Sequence, residues 1–138
     1  MGRWEHFAHG ADVGIRGIGH SIEEAFEQAA LALTAVVVPP DAVRLETTVD
    51  VTCRGGEAED LLVDFLNALV FEMATRRMLF GRFRVRLHDG ELTAAATGEL
   101  VEPVRHEPAV EVKGATYTAL EVRQQTDGTW VAECVVDV

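Results

Sequence analysis

After Ser21, the residues Ile22, Ala25, Phe26, Ala29, Ala30 and Leu33 recur at intervals of three and four, the spacing that gathers apolar side chains on one face of a helix. Ser21 with Glu24 fits a capping box at its start. Pro39-Pro40 ends the run, because proline lacks the N–H a helix needs. From Val43 the pattern changes period. Val43, Leu45, Thr47, Val49, Val51 and Cys53 alternate with Arg44, Glu46, Thr48, Asp50, Thr52 and Arg54, which predicts a half-buried strand stopped by Gly55-Gly56. A second helix begins at the acids Glu57, Glu59 and Asp60. It buries Leu61, Leu62, Phe65, Leu66, Leu69, Val70 and Met73 and closes on Arg76-Arg77, charges that suit the two ends of a helix dipole. Phe83, Val85 and Leu87 then alternate with Arg82, Arg84 and Arg86, and Asp89-Gly90 is a hairpin turn into Leu92, Ala94 and Ala96. A loop is predicted over 99–108, punctuated by Pro103 and Pro108. Two last strands are predicted over 116–124 and 130–136, with a turn at Asp127-Gly128. Strands outnumber helices and most neighbours are hairpin-linked. The fold class is α+β: a largely antiparallel or mixed β-sheet with two main helices packed on it, in a single compact domain over residues 1–138.

Composition narrows the class of function. The 138 residues are 48% hydrophobic and 25% charged, enough for a continuous core. Twenty-three acids against twelve bases leave a formal charge of -11, a balance that argues against unaided binding of RNA or DNA, which relies on Lys and Arg. No apolar run approaches bilayer length, and the N-terminal residues lack the hydrophobic core of a signal peptide, so the expected location is cytoplasmic. Cys53 and Cys134 lie far apart in strand-like runs and read as small buried residues of a reducing compartment. Lys113 is the single lysine among the twelve basic residues, which draws attention to its position.

Candidate chemistry falls in three places. His6, His9 and Asp12 lie within seven residues, ahead of Gly14, Gly17 and Gly19. Those glycines match no phosphate-binding loop, and the segment also reads as two strands joined by a turn at Asp12. Arg105-His106-Glu107 leads toward Glu111-Val112-Lys113-Gly114, a cluster whose usual explanation is a charged surface loop next to a strand. The C-terminal Val136-Asp137-Val138 holds the third. Should the fold join Asp12 and Asp137, their oxygens suit Ca²⁺, Mg²⁺ or Mn²⁺ rather than zinc, and a nearby lysine can pair with them or with a bound anion. The arginines at 82, 84 and 86 read as a solvated sheet face paired with neighbouring glutamates. No nucleophile elbow is present, and neither Cys has a neighbouring His.

Taken in order, HGADVGIRGIG (9–19), SIEEAFEQAALAL (21–33), DLLVDFLNALVFEM (60–73), GEL (98–100), HEPAVEVKGATYTALEV (106–122) and WVAECVVDV (130–138) make the chain resemble the archease family nearly end to end. The resemblance implies a non-catalytic protein cofactor of the GTP-dependent RNA-splicing ligase of the RtcB family, in tRNA splicing and RNA repair. Such a cofactor speeds guanylylation of the ligase and helps turnover, and it binds a divalent metal ion, Ca²⁺ foremost. Carried over by position, the metal residues are Asp12 and Asp137, with a backbone or terminal oxygen of Val138. Lys113 matches a lysine needed for activation, and His9, His106 and Glu107 are further partner-facing candidates. Gly10 stands where the family usually has Thr, and Thr118 where it tends to have His. Direct nucleic-acid binding and membrane association are not expected. A second reading is a chaperone-like modulator of a tRNA-modifying enzyme such as a methyltransferase. A third is a metal-dependent hydrolase built on His6, His9, Asp12 and His106.

Overall fold

The structure is a computed structural model and describes residues 2–138. β1 (Arg3–His9) and β2 (Asp12–Gly19) make an antiparallel hairpin with His9 opposite Asp12. Its turn is the pair Gly10-Ala11, and only Gly10 has positive φ, at 61°. A two-residue hairpin turn with positive φ at its first central position is type II′, which favours glycine there. This gives Gly10 a backbone reason to stand where the resemblance leads one to expect Thr.

α1 (Ile22–Val37) follows, with Ser21 Oγ accepting the Glu24 N–H at 3.1 Å. The Glu24 carboxylate reaches one residue further back than a capping box requires and accepts the His20 N–H at 2.7 Å. α1 lies tightly across β2. A Cβ on Gly17 would stand 2.1 Å from the Ala25 carbonyl oxygen and 2.2 Å from the Ala29 nitrogen, so a residue without a side chain sets the helix-to-sheet distance.

The other strand elements come later in the chain: β3 (Thr47–Arg54), β4 (Met78–His88), β5 (Glu91–Leu100), β6 (Gly114–Ala115), β7 (Glu121–Gln124) and β8 (Trp130–Asp137). β8 pairs with β2 along one edge and with β6 and β7 along the other, completing a five-stranded sheet with the last strand at its middle. A three-stranded sheet has the order β3-β5-β4, and every pairing in both sheets is antiparallel. α2 (Ala58–Arg76) buries Leu61, Leu62, Val63, Phe65, Leu66 and Leu69 and ends at Arg77 in the left-handed region, φ 55°. Phe26 of α1 and Phe65 of α2 stack with centroids 6.4 Å apart. Around them, Ile15, Cys134 and Val136 of one sheet meet Val49, Val51, Val85 and Ala96 of the other in one continuous core. The α+β class with antiparallel sheets and two long helices is as the periodicity predicts, divided between two sheets.

Several boundaries differ. The alternation from Val43 enters a sheet only at Thr47, because Pro40–Ala42 forms a 3-10 turn and Leu45 is exposed. The predicted loop over 99–108 is partly regular: β5 runs on to Leu100, and Pro103–His106 forms the one-turn helix α3. The predicted strand over 116–124 is broken. Thr116 Oγ1 donates to the Val135 carbonyl at 2.8 Å and accepts the Thr118 N–H at 3.2 Å, while Ala119 has φ 53°. Local hydroxyl bonding of this kind competes with a β-ladder. The arginines at 82, 84 and 86 are exposed as predicted, but none pairs with a glutamate among the described residues; their neighbours on β5 are Thr97, Ala95 and Thr93.

Candidate functional site

Strand register decides which distant residues meet. Arg16 lies opposite Glu5 on β1 and Glu133 on β8, and Glu133 lies opposite Glu121 on β7. Residues level across antiparallel strands share a face, and here the side chains show it. The Arg16 guanidinium donates to Glu133 at 3.0 Å and to Glu5 at 2.8 Å, Arg123 donates to Glu133 at 3.2 Å, and Arg3 donates to Glu5 at 2.9 Å. Arg16 also lies over the Phe7 ring, 4.6 Å from its centroid, and Phe7 lies against Gly14. Hydrogen bonding to Glu133, then to Glu5, raises the Arg16 pKa further, so the ladder keeps its charge.

Four residues along the same strands, about 14 Å away, the row repeats with different chemistry. His9 is opposite Asp12; Val13 is opposite Val136, which puts Asp12 level with Asp137; Asp137 is opposite Gly114. Asp12 and Asp137 keep the parity of Arg16 and Glu133, so both carboxylates leave the same outer face. Directly opposed Cβ atoms lie about 5 Å apart, within reach of one cation. Lys113 is tied in by its own N–H, which donates to the Asp137 carbonyl at 2.9 Å. The Lys113 side chain is exposed and makes no ion pair among the described residues. Thus the first hairpin, the last strand and the segment before β6 bring Asp12, Asp137 and Lys113 to one end of the sheet, with His9 and Val138 beside them.

The donor set is oxygen-rich and fits a hard divalent cation in kind. Among the described residues no three His, Cys, Asp or Glu side chains converge. Two carboxylates supply about two to four of the six to eight oxygens such a cation takes, the rest to come from a main-chain oxygen of Val138, from water or from a ligand from outside.

His106 and Glu107 part company with this row. His106, a partner-facing candidate by resemblance, is buried: Nδ1 accepts the Glu102 N–H at 2.8 Å and Nε2 faces Glu99 at 2.9 Å. An Nδ1 that accepts leaves the proton on Nε2, and the imidazole bridges α3 to β5 instead of facing solvent. Glu99 itself is buried. Burial alone would raise its pKa, but the Arg44 N–H at 2.6 Å, His106 and Arg105 together hold it down to about 2. Glu107 is exposed, with φ 45°, at the end of α3. The chain then passes the C-terminal end of α1, where the Ala109 N–H donates to the Val37 carbonyl at 2.9 Å, and reaches Lys113.

The four residues of a hydrolase reading are dispersed. His6 has the opposite parity to His9 on β1 and bonds the Ala32 carbonyl on α1 at 2.8 Å, while His106 serves Glu99. Both cysteines are buried, and burial pushes the Cys134 thiol up to about 12, away from reactivity. Sequence reasoning missed the Glu5–Arg16–Glu133–Arg123 ladder and the Glu99 cluster. The first was hidden in strand register. The second had one faint signal, the fragment GEL placing an acid inside an apolar strand.

A family model described as the archease protein family matches residues 4–138. The protein archease of Pyrococcus furiosus is 39% identical over 142 aligned positions, covering 100% of both chains, and that of Sulfolobus acidocaldarius is 36% identical over 140, again covering both completely. In structure the chain is similar to protein 1598 of Methanobacterium thermoautotrophicum, with TM-score 0.85, 33% identity and 98% of each chain covered. It also shares the fold of a Thermotoga maritima protein described as an archease, possible chaperone, with TM-score 0.64, 22% identity and coverage of 97% and 96%.

Proposed function

The chain belongs to the archease family, and from that premise we propose that it is a metal-binding protein activator of an RtcB-type, GTP-dependent RNA ligase. The observation that carries the reading is the row Asp12–Asp137–Gly114 with Lys113 attached. Three residues that the family resemblance marks arrive at one exposed sheet end from three separate parts of the chain. Among the described residues the two carboxylates and the Lys113 ammonium have no ion-pair partner, which leaves unspent charge of both signs at this end of the sheet. Such a surface is suited to meeting a partner that contributes the missing ligands. Asp12 and Asp137 would hold a divalent cation of the Ca²⁺ type, which would supply positive charge near a partner's phosphates. Lys113, level with Val138, brings a flexible ammonium to the same end of the sheet, able to pair with a phosphate oxygen or a partner carboxylate. The ladder at Arg16 stiffens the same strands, and Gly10 fixes the hairpin that aims Asp12. The chain's negative charge favours encounter with a basic, RNA-handling protein.

The test is single-turnover guanylylation of the cognate ligase with and without this protein, repeated with Lys113→Ala. Activation that disappears with Lys113→Ala supports the reading; equal rates in all three reactions overturn it.

A second reading, a chaperone-like modulator of a tRNA-modifying enzyme, is favoured by a different place. An apolar cleft of about 480 Å³ lies between α2 and the segment around α3, lined by Val37, Val70, Met73, Val101, Pro108 and Val112. The description of the Thermotoga maritima protein as a possible chaperone points the same way. Capture of a tRNA methyltransferase, without any effect on the ligase, would favour it.

A further inference from the structure

The outer face of the three-stranded sheet is ordered in rows. Arg82, Thr97 and Thr48 lie level across β4, β5 and β3; so do Arg84, Ala95 and Asp50; so do Arg86, Thr93 and Thr52. One wall is thus a column of three arginines. The floor is Thr97, Ala95 and Thr93, all short, and the far wall is two threonines and one aspartate. Across the lower two rows the short floor leaves a trough of about 360 Å³ bounded by Arg84, Arg86, Thr93, Ala95, Asp50 and Thr52.

In a chain of formal charge -11 this face is an exception. The three guanidiniums are exposed and pair with no carboxylate among the described residues. The nearby charges are already engaged: Arg54 pairs with Glu91 at 2.9 Å, and Glu27 of α1 accepts the Val85 N–H at the β4 edge, at 2.8 Å. Asp50 stands two strands from Arg84, about 10 Å away, so the trough itself is lined by two arginines against one aspartate. Glu23 of α1 shares a groove with Arg84 and Arg86 at the β4 edge, and Glu27 lies close enough to Arg84 to feel its charge; charges farther off are screened at physiological salt beyond about 8 Å.

The geometry points to the phosphate backbone of single-stranded nucleic acid as the occupant of this trough. Alternate residues of a strand repeat every 6.8 Å or so, close to the separation of successive phosphates in an extended strand. Arg is the side chain that grips phosphate in bidentate fashion, and the threonine hydroxyls add donors to the floor. A protein partner would want an apolar centre with aromatic anchors, and these rows contain neither. With no aromatic platform for bases, binding is weak and indifferent to sequence: the face orients RNA held mainly by another protein. The inference goes beyond the activator role and uses a different sheet.

The experiment is fluorescence anisotropy of a short fluorescein-labelled oligouridine with the full chain, from low to physiological salt. Three phosphate contacts predict a slope of about -2 in log affinity against log salt, a loss of roughly 20-fold between 50 and 200 mM. The triple variant Arg82→Gln/Arg84→Gln/Arg86→Gln should bind at least tenfold more weakly. Arg3→Gln/Arg76→Gln/Arg77→Gln, with the same change in net charge, should bind like wild type. Ala95→Glu, which keeps every arginine but puts a carboxylate on the trough floor, should also lose binding. No measurable binding by wild type at low salt, or equal loss in the two triple variants, overturns the proposal. So does tighter binding of a polyglutamate of matched charge, which would mark an acidic protein as the occupant. Guanylylation consumes no RNA, so the Arg82/Arg84/Arg86 variant should retain it; failure there and failure here are read separately.

Discussion

Replacing Glu99 by Gln tests the cluster that decides where His106 points. The carboxylate accepts from the Arg44 N–H, from His106 Nε2 and from the Arg105 guanidinium while almost wholly buried. Gln keeps one accepting oxygen and sets an NH₂ against donors that have nowhere else to turn. Losing one partner of a buried charged network costs about 3–5 kcal/mol. Arg105 is partly exposed and can re-solvate, so the low end applies, about 3 kcal/mol. With a urea m-value of about 1.5 kcal/mol/M the midpoint should fall by about 2 M. The pH dependence adds a second handle. The folded carboxyl sits near 2 against an ordinary value of 4.5. A depressed pKa contributes stability that is fully present above the ordinary value and lost as pH falls through the folded one. The gap between wild type and Glu99→Gln should therefore be full at pH 7 and pH 5, narrow between about 4.5 and 2, and close below that. Urea titrations at four pH values measure it. A difference under 1 kcal/mol at pH 7, or one that does not change with pH, would refute the account of this cluster and of His106 as its bridge.

Gly17→Ala should cost about 3 kcal/mol and lower the melting temperature by about 10 °C, because the new methyl meets backbone atoms of α1 on both sides; a melt within 2 °C or so of wild type would show that α1 is free to lift. Asp137→Asn should be neutral or slightly stabilising in EDTA, since it relieves a like-charge neighbour of Asp12. Millimolar Ca²⁺ should raise the wild-type melting temperature and leave the variant's unmoved, and equal shifts in both would remove Asp137 from the cation's ligands.

How much of this was legible depends on the distance over which each feature is encoded. Helices with their own caps and periods, from Ser21 and from Glu57, announce themselves, as does the Asp89-Gly90 hairpin. Breaks in period do not. Phe80 and Phe83 are both buried because β4 carries a bulge after Phe80, where Arg82 rather than Gly81 resumes the pairing with Thr97; a reading by alternation begins only at Phe83. The abundance of acids suggests glutamate partners for Arg82, Arg84 and Arg86, but register puts Thr97, Ala95 and Thr93 beside them. The meeting of Asp12 with Asp137 was conceivable from their chemistry and was decided only by the pairing of β2 with β8. His106 looked like surface because its neighbours Arg105 and Glu107 are charged. Its burial follows from Glu99, an acid whose own burial no local pattern reveals.

The placement of β8 carries a consequence for synthesis. A ribosome delivers the β1–β2 hairpin well before β8, yet β8 is the strand against which β2, β6 and β7 all pair. A chain halted before β8 leaves β6 and β7 without a strand to pair with, leaves β2 with β1 alone, and has half the acidic pair. Presentation of Asp12, Asp137 and Lys113 together thus requires that translation has run through β8. A partner that recognises that row is blind to truncated products, with no separate device needed to reject them.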